Sequence, residues 1–293
     1  MPKQLPTMAW QNGTFTPFDD VHVSLDDAGF RQGVVAVERL RTYHGAVAAL
    51  EAHIVRWRRT LEELYISMSI DVEMIQRRID QLLKENQGWL NDVGDCGIVM
   101  LATPGSPVEI GSIARPNEMM HLIAIDHQKV KRHRVHGQPL FVTNVEQPSG
   151  KCWPRDIKVR CRLHYYLADQ QAHEHHLDSV GLLVDHDGTV TESSVANIAI
   201  VKNGKVMLPP IDQVLPGITQ QIVQSACVQA GVSWQYERLW PAEIREADEV
   251  WLMGTDGGLW FANRVDGAKI ATGGPGNLYS ICLPIFDQMI REH

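Results

Sequence analysis

A basic run, Lys129-Val130-Lys131-Arg132-His133-Arg134-Val135-His136, interrupts this chain between two stretches that each alternate strand-like and helix-like periodicity. Before it, residues 21–25 alternate as a strand, and residues 33–43 read as a second strand turning at His44-Gly45. Residues 50–65 and 72–85 repeat apolar side chains at helical spacing, and residues 97–102 and 119–125 are apolar strands. After the run come a helical pattern over 159–175, strands over 180–184 and 196–202, a helix over 219–230, a strand over 249–253 and a last helix. Asp187-Gly188 and Asn203-Gly204 mark turns. This is an α+β pattern. The net charge of −8 makes the basic run a solvated interdomain linker and argues against a nucleic-acid surface. The expected organisation is a small N-terminal α/β domain over 1–128, a linker over 129–138 and a larger C-terminal domain over 139–293.

Composition narrows the class of molecule. No apolar run approaches the roughly 20 residues of a membrane span, and residues 1–6 lack the charged and apolar regions of a secretion signal. The five cysteines are scattered and never spaced as CxxC, which predicts reduced thiols, a cytoplasmic protein and no zinc site. His173 and His176 share a helix face without a recognisable third ligand, so no metal is expected. Ser193 and Ser194 lack a GxSxG context, which excludes that form of serine nucleophile.

Lys158 and Glu192, 34 residues apart, carry the most chemistry. Lys158 is expected at the head of the 159–175 helix, and Glu192 follows the Asp187-Gly188 turn. A lysine forms a Schiff base with an aldehyde cofactor, and a carboxylate keeps a pyridine nitrogen protonated, so the two together suit carbanion chemistry on amino acids. Leu215-Pro216-Gly217-Ile218-Thr219 opens a helix whose first amides have no intrahelical acceptor; it reads either as an anion site or as a Pro-Gly turn capped by Thr219. Gly254-Thr255-Asp256-Gly257 is either a second anion-binding loop or a plain glycine-rich connection. Arg56, with its forked donors, suits a phosphate, although Arg58 and Arg59 beside it suit a solvated helix face.

Taken in order, these pieces resemble the class IV aminotransferases, the fold-type IV pyridoxal phosphate enzymes. That group includes branched-chain aminotransferases, D-amino acid aminotransferases and 4-amino-4-deoxychorismate lyases. The resemblance runs from about residue 27 to 290 and includes the segment from Asp27 to Gly33, Val37-Glu38-Arg39-Leu40-Arg41-Thr42-Tyr43, His53-Ile54-Val55-Arg56, Lys158, Thr191-Glu192 with Asn197, the Pro216-Gly217 helix start and Gly254-Thr255. It implies a two-domain α+β fold with pyridoxal phosphate between the domains. Lys158 would be the Schiff-base lysine and Glu192 the partner of the ring nitrogen. Arg56, Ile218, Thr219 and Thr255 would hold the phosphate. A homodimer is implied, with an amino acid and a keto acid as small-molecule partners.

Within the family, Glu38 and Gly254-Thr255 match the aminotransferases, whereas Lys158-Val159-Arg160-Cys161-Arg162-Leu163 resembles a lyase pattern with Cys161 in place of Asn. The implied reaction is transamination. The lyase releasing pyruvate and 4-aminobenzoate, and a non-catalytic relative, are the alternatives. No arginine occurs between Arg78 and Arg115, where the D-amino acid enzymes place a carboxylate clamp in the strand-loop corresponding to residues 101–107. Branched-chain L-amino acids are therefore the default donor. Gln32, Val37, Thr103 and Asp256 are the expected substrate pocket, and Gln32, Val37 and Asp256 depart from the residues usual in the family.

Overall fold

The computed structural model describes residues 5–106 and 115–292, so Pro107 of the expected pocket loop lies outside the described residues. The chain forms two compact units, one of Met1–Ile125 with Ile157–Cys161, the other of Asp126–Asp156 with Arg162–Glu292.

The first unit is built on a six-stranded sheet in the order β2-β1-β6-β5-β3-β4. Its strands are β1 (Met8–Gln11), β2 (Thr14–Pro17), β3 (Ala36–Tyr43), β4 (Ala46–Val47), β5 (Cys96–Thr103) and β6 (Asn117–Ala124). A short helix, α1 (Ala28–Gln32), precedes β3, and α2 (Leu50–Glu63), α3 (Val72–Glu85) and α4 (Gln87–Val93) lie between β4 and β5. Alternation along the strands sends Ala36 and Leu40 of β3, Ile98 and Met100 of β5 and Leu122 of β6 into one core with Ile54, Trp57, Ile75, Ile79 and Leu82 of the helices. Burying each of the large side chains among these contributes about 1.5–3 kcal/mol. Residues 21–25, expected as a strand, are not one. Val23 and Leu25 stay exposed, and the chain turns where Asp27 N–H donates to Ser24 O at 3.0 Å, so alternation has no sheet to bury against.

In the second unit, β7 (Gln138–Glu146), β8 (Val180–Val184), β9 (Val190–Ser193), β10 (Asn197–Lys202), β13 (Glu249–Gly254) and β14 (Gly258–Val265) pair in succession. Because β9 bonds both β8 and β10, these six close into a ring around Leu140, Leu182, Val190, Ile198, Ile200, Val250 and Leu252. β11 (Lys205–Leu208) and β12 (Ser233–Tyr236) extend the sheet from β10, and β15 (Ala268–Lys269) pairs with β14. The helices are α5 (His127–His136), α6 (Leu163–His175), α7 (Ile218–Gln229), α8 (Pro241–Arg245) and α9 (Asn277–Glu292). α6 packs against β7 and β8, which lie parallel. It comes so close that a Cβ at Gly181 would lie 2.5 Å from Ala168 O.

Residues 129–138, expected as a linker, form most of α5 and the start of β7. Asp126 caps this helix by accepting from Lys129 N–H at 2.9 Å. Several of its basic side chains have carboxylate partners, among them Arg134 on Asp287 at 3.0 Å and His133 on Asp178 at 3.1 Å, which help so polar a segment acquire a fixed structure.

Candidate active site

Lys158 does not head a helix. α6 begins at Leu163, and the segment around Val159 pairs with β3 as a strand would. Val37 N–H donates to Lys158 O at 3.0 Å, Arg160 N–H donates to Val35 O at 2.9 Å, and Ala36 and Val159 form an antiparallel bridge. Lys158 N–H in turn donates to Thr60 Oγ1 at 3.1 Å, and the same hydroxyl donates to Arg56 O at 3.0 Å. Helical spacing in the sequence is lost here because β3 offers backbone partners to 158–160 that a helix would forgo.

Arg56 lies one turn before Thr60 on α2, and its guanidinium is oriented by Glu38 of β3. Nε donates to Glu38 Oε2 at 3.0 Å and Nη2 to Oε1 at 2.6 Å. His53, one turn earlier, meets Glu38 Oε1 at 2.8 Å through Nδ1. Glu38 is fully buried. Burial pushes its carboxyl up, but Arg56 and His53 outweigh burial and hold it well below the usual carboxylate range. The His53 ring is lowered by burial against the pull of Glu38, so it is neutral at pH 7, and its Nδ1 must carry the proton because a carboxylate only accepts.

Of the expected pocket residues, Val37 and Thr103 are buried in this unit and Gln32 is exposed at the end of α1. Thr103 Oγ1 donates to Asp27 Oδ2 at 2.7 Å, and Asp27 Oδ1 accepts from Gly29 N–H at 2.7 Å to cap α1. Gly29 is needed there, since a Cβ would sit 2.4 Å from the Thr103 methyl. Register places Val37 opposite Leu101, and Leu101 opposite Met119, as an apolar row across one face of the sheet.

Glu192 belongs to the second unit, at the pairing of β9 with β10 that closes the ring, opposite Asn197. It is buried, and it accepts from Tyr165 Oη at 2.5 Å and from Gln147 Nε2, Asn197 Nδ2 and Leu215 N–H, each at 3.2 Å. Asn197 also donates to Leu215 O at 2.8 Å, and a Cβ on Gly217 would lie 2.0 Å from its Oδ1. Glu192 is thereby tied to the start of α7. Gly217 is the N-cap of that helix with no side chain to cap it, and Ile218 and Thr219 behind it are buried. The Gly254-Thr255 corner approaches the turn between β9 and β10, where a Cβ on Gly254 would meet Val195 O at 2.4 Å. Glu192, Ile218, Thr219 and Thr255 therefore gather at one end of the ring. Asp256 is exposed in the turn between β13 and β14.

The sequence profile described as "Amino-transferase class IV" matches residues 36–265. The chain is a member of the class IV aminotransferase family. Members depend on pyridoxal phosphate, and this class IV aminotransferase is an enzyme that uses it. It is similar to a D-alanine aminotransferase of Staphylococcus epidermidis, 24% identical over 290 residues and covering 98% of this chain and 99% of that protein. It is 30% identical to a putative branched-chain-amino-acid aminotransferase of Methanocaldococcus jannaschii over 271 residues, 88% of each chain. In fold it is similar to the Escherichia coli branched-chain amino acid aminotransferase, with a TM-score of 0.88 at 18% identity over 98% of this chain and 95% of that one. The branched-chain amino acid aminotransferase of Thermobaculum terrenum, solved in its PLP form (holo form), gives 0.85 at 19% identity, covering 98% of this chain and 95% of that one.

The donor set of this class IV aminotransferase fits the cofactor. A buried carboxylate suits a ring N–H, a buried helix start whose N-cap has no side chain suits a phosphate, and a lysine stands on an extended segment whose backbone is held on both sides. Among the described residues, no group of three or more His, Cys, Asp or Glu is arranged to hold a metal ion. No helix among them is long and apolar enough to cross a membrane. Sequence reasoning missed Thr60, Gln147 and Tyr165. Thr60 was within reach, four residues after Arg56 on one helix face. Nothing in the text around Gln147 or Tyr165 marks either as a partner of Glu192.

Proposed function

We propose that this enzyme moves an amino group between a branched-chain L-amino acid and a 2-keto acid. One observation carries the donor class: the apolar row Val37–Leu101–Met119 lies next to the lysine segment, with Val37 N–H bonded to Lys158 O at 3.0 Å. Such a row suits an aliphatic side chain. The similarity to the Methanocaldococcus jannaschii protein supports the same reading.

Pyridoxal phosphate, when bound, supplies the aldehyde and the electron-withdrawing ring that make the α-proton of an amino acid removable. Lys158 would hold it covalently through Nζ, and the same nitrogen, as a neutral amine, would carry the α-proton of the donor. Glu192 would accept from the ring nitrogen and keep the proton there. The amides of Ile218 and Thr219 and the Thr255 hydroxyl would hold the phosphate, and the Arg56 guanidinium, aimed by Glu38, is proposed as a further phosphate ligand. Gln32, Val37 and Thr103 of the first unit and Asp256 of the second are the residues proposed to select the donor's side chain.

Lys158→Ala is expected to abolish turnover and the absorbance of lysine-bound cofactor; full activity in that variant would sink the assignment. The donor is tested by mixing cofactor-loaded enzyme with a panel of L- and D-amino acids and following loss of that absorbance. Reaction confined to D-alanine would replace the branched-chain reading, consistent with the Staphylococcus epidermidis similarity. Release of 4-aminobenzoate from aminodeoxychorismate would favour the lyase, the reading that Lys158-Val159-Arg160-Cys161-Arg162-Leu163 supports. The protein is further proposed to be a cytoplasmic homodimer. Its five cysteines are free thiols, and α6 exposes Leu163, Tyr166 and Leu167 at helical spacing, an apolar face suited to a second copy.

A further inference from the structure

Glu192 is a buried carboxylate that takes hydrogen bonds from side chains on three separate segments of the second unit. Tyr165, Gln147, Asn197 and the Leu215 amide reach it at 2.5–3.2 Å, each as an electrically neutral donor. Burial by itself drives a carboxyl toward its protonated form, and donors aimed at the charged form oppose that. We infer that Tyr165 and Gln147 are positioning residues that keep Glu192 anionic, so that the proton it shares with the cofactor stays on the ring nitrogen. This rests on the reading of Glu192 as the partner of that nitrogen.

Two observations carry the inference. Tyr165 makes the shortest of these bonds to Glu192, 2.5 Å, and its own proton is secure: burial first, and the Glu192 charge second, raise the phenol well above its ordinary value, so it donates and does not accept. The ring has little freedom, with the Arg162 guanidinium 4.4 Å from its centroid and the His164 ring 4.1 Å away. Gln147 donates from one amide nitrogen to both Glu192 Oε1 and Tyr165 Oη, at 3.2 and 3.3 Å, while its own Oε1 is buried without a hydrogen-bond partner. Turning the amide over would set that oxygen against the carboxylate, two acceptors face to face, so the donor orientation is the one electrostatics allows. The backbone fixes Gln147 as well, since its N–H donates to Val184 O at 2.8 Å. Paired bonds between Asn144 and Gln171 join the end of β7 to α6 on the same side.

The chemical consequence follows from the balance between two bases sharing one proton. Each neutral donor removed from Glu192 makes its carboxylate more basic, and the proton moves from the ring nitrogen toward Glu192. The ring then carries less positive charge, and the α-proton of the substrate becomes harder to remove.

The experiment loads the enzyme with pyridoxal phosphate carrying 15N in the ring and reads the nitrogen resonance, which separates protonated from unprotonated ring. The wild type is expected to show protonated nitrogen. Tyr165→Phe should move the signal toward the unprotonated position and lower kcat about tenfold, the scale of one charge-assisted hydrogen bond, with KM little changed. Gln147→Met should move both in the same direction by less, and it supplies the reading if Tyr165→Phe does not fold. If Glu192→Gln shifts the resonance while Tyr165→Phe and Gln147→Met leave it in place, the inference fails and the reading of Glu192 stands. If Glu192→Gln also leaves it in place, the reading of Glu192 itself is wrong.

Discussion

The two units stabilise a buried carboxylate in opposite ways. In the first, Glu38 is held by a guanidinium, with Arg56 giving it two bonds at 3.0 and 2.6 Å, and a neutral His53 adds a third. In the second, Glu192 accepts hydrogen bonds from neutral hydroxyl, amide and peptide donors, Tyr165, Gln147, Asn197 and Leu215 N–H among them. The contrast separates two tasks. A carboxylate paired with a full positive charge is a fixed structural device, good for aiming Arg56. One that takes bonds from neutral hydroxyl and amide donors is held by their dipoles, which orient the carboxylate and favour its charged form. The same residue type thus does different work according to what solvates it.

The largest expected effect is at the charge-paired end. Glu38→Gln keeps the shape but removes the charge, leaving the largely buried Arg56 without that counter-ion. Breaking a buried pair in this way costs about 3–5 kcal/mol, read by denaturant unfolding. The pH dependence gives an independent check. The Glu38 pKa is lower in the folded protein than the ordinary 4.5. Its stabilisation is therefore complete above that ordinary value and is lost as the pH falls below it. Glu38→Gln should flatten that acid limb of the stability profile, and an unchanged limb would break the comparison.

How far the sequence foretold these two ends differs for a physical reason. Strands and helices with one buried face were legible from periodicity, as at residues 72–85, which match α3. The family order of Arg56, Lys158, Glu192 and the Pro216-Gly217 turn was legible because each carries its own chemistry in a recognisable local setting. What was not legible depended on partners distant in sequence. Lys158 is extended because β3, more than a hundred residues earlier, pairs with its backbone. The basic run is a helix because Asp178 and Asp287 lie against it. Tyr165 and Gln147 reach Glu192 across 27 and 45 residues, with no local pattern to betray them.

A smaller effect is expected at the neutral end, where close packing does what charge does in the first unit. A Cβ on Gly217 would stand 2.0 Å from Asn197 Oδ1, the side chain that links Glu192 to the start of α7. Gly217→Ala should therefore push Asn197 away from Leu215 O and Glu192, destabilising the protein by about 1–3 kcal/mol as overpacking does. It should also weaken pyridoxal phosphate binding in a fluorescence titration, because the displaced segment carries the Ile218 and Thr219 amides. Wild-type stability and affinity together would show that Asn197 does not lock the helix start.

The smallest effect tests how the lysine segment is placed. Thr60 Oγ1 accepts from Lys158 N–H at 3.1 Å and donates to Arg56 O at 3.0 Å, so one hydroxyl couples the lysine backbone to the helix that carries Arg56. Thr60→Val preserves volume but takes that acceptor from the Lys158 amide, a loss of about 1 kcal/mol on the scale of one neutral hydrogen bond. The Ala36–Val159 bridge and the Val37 bond to Lys158 O remain, so the segment should stay extended, with a modest fall in melting temperature and a few-fold loss of kcat at about one hydrogen bond's worth of barrier. Loss of activity as deep as that of Lys158→Ala, with stability intact, would mean that the hydroxyl and not the β3 pairing sets the position of Lys158.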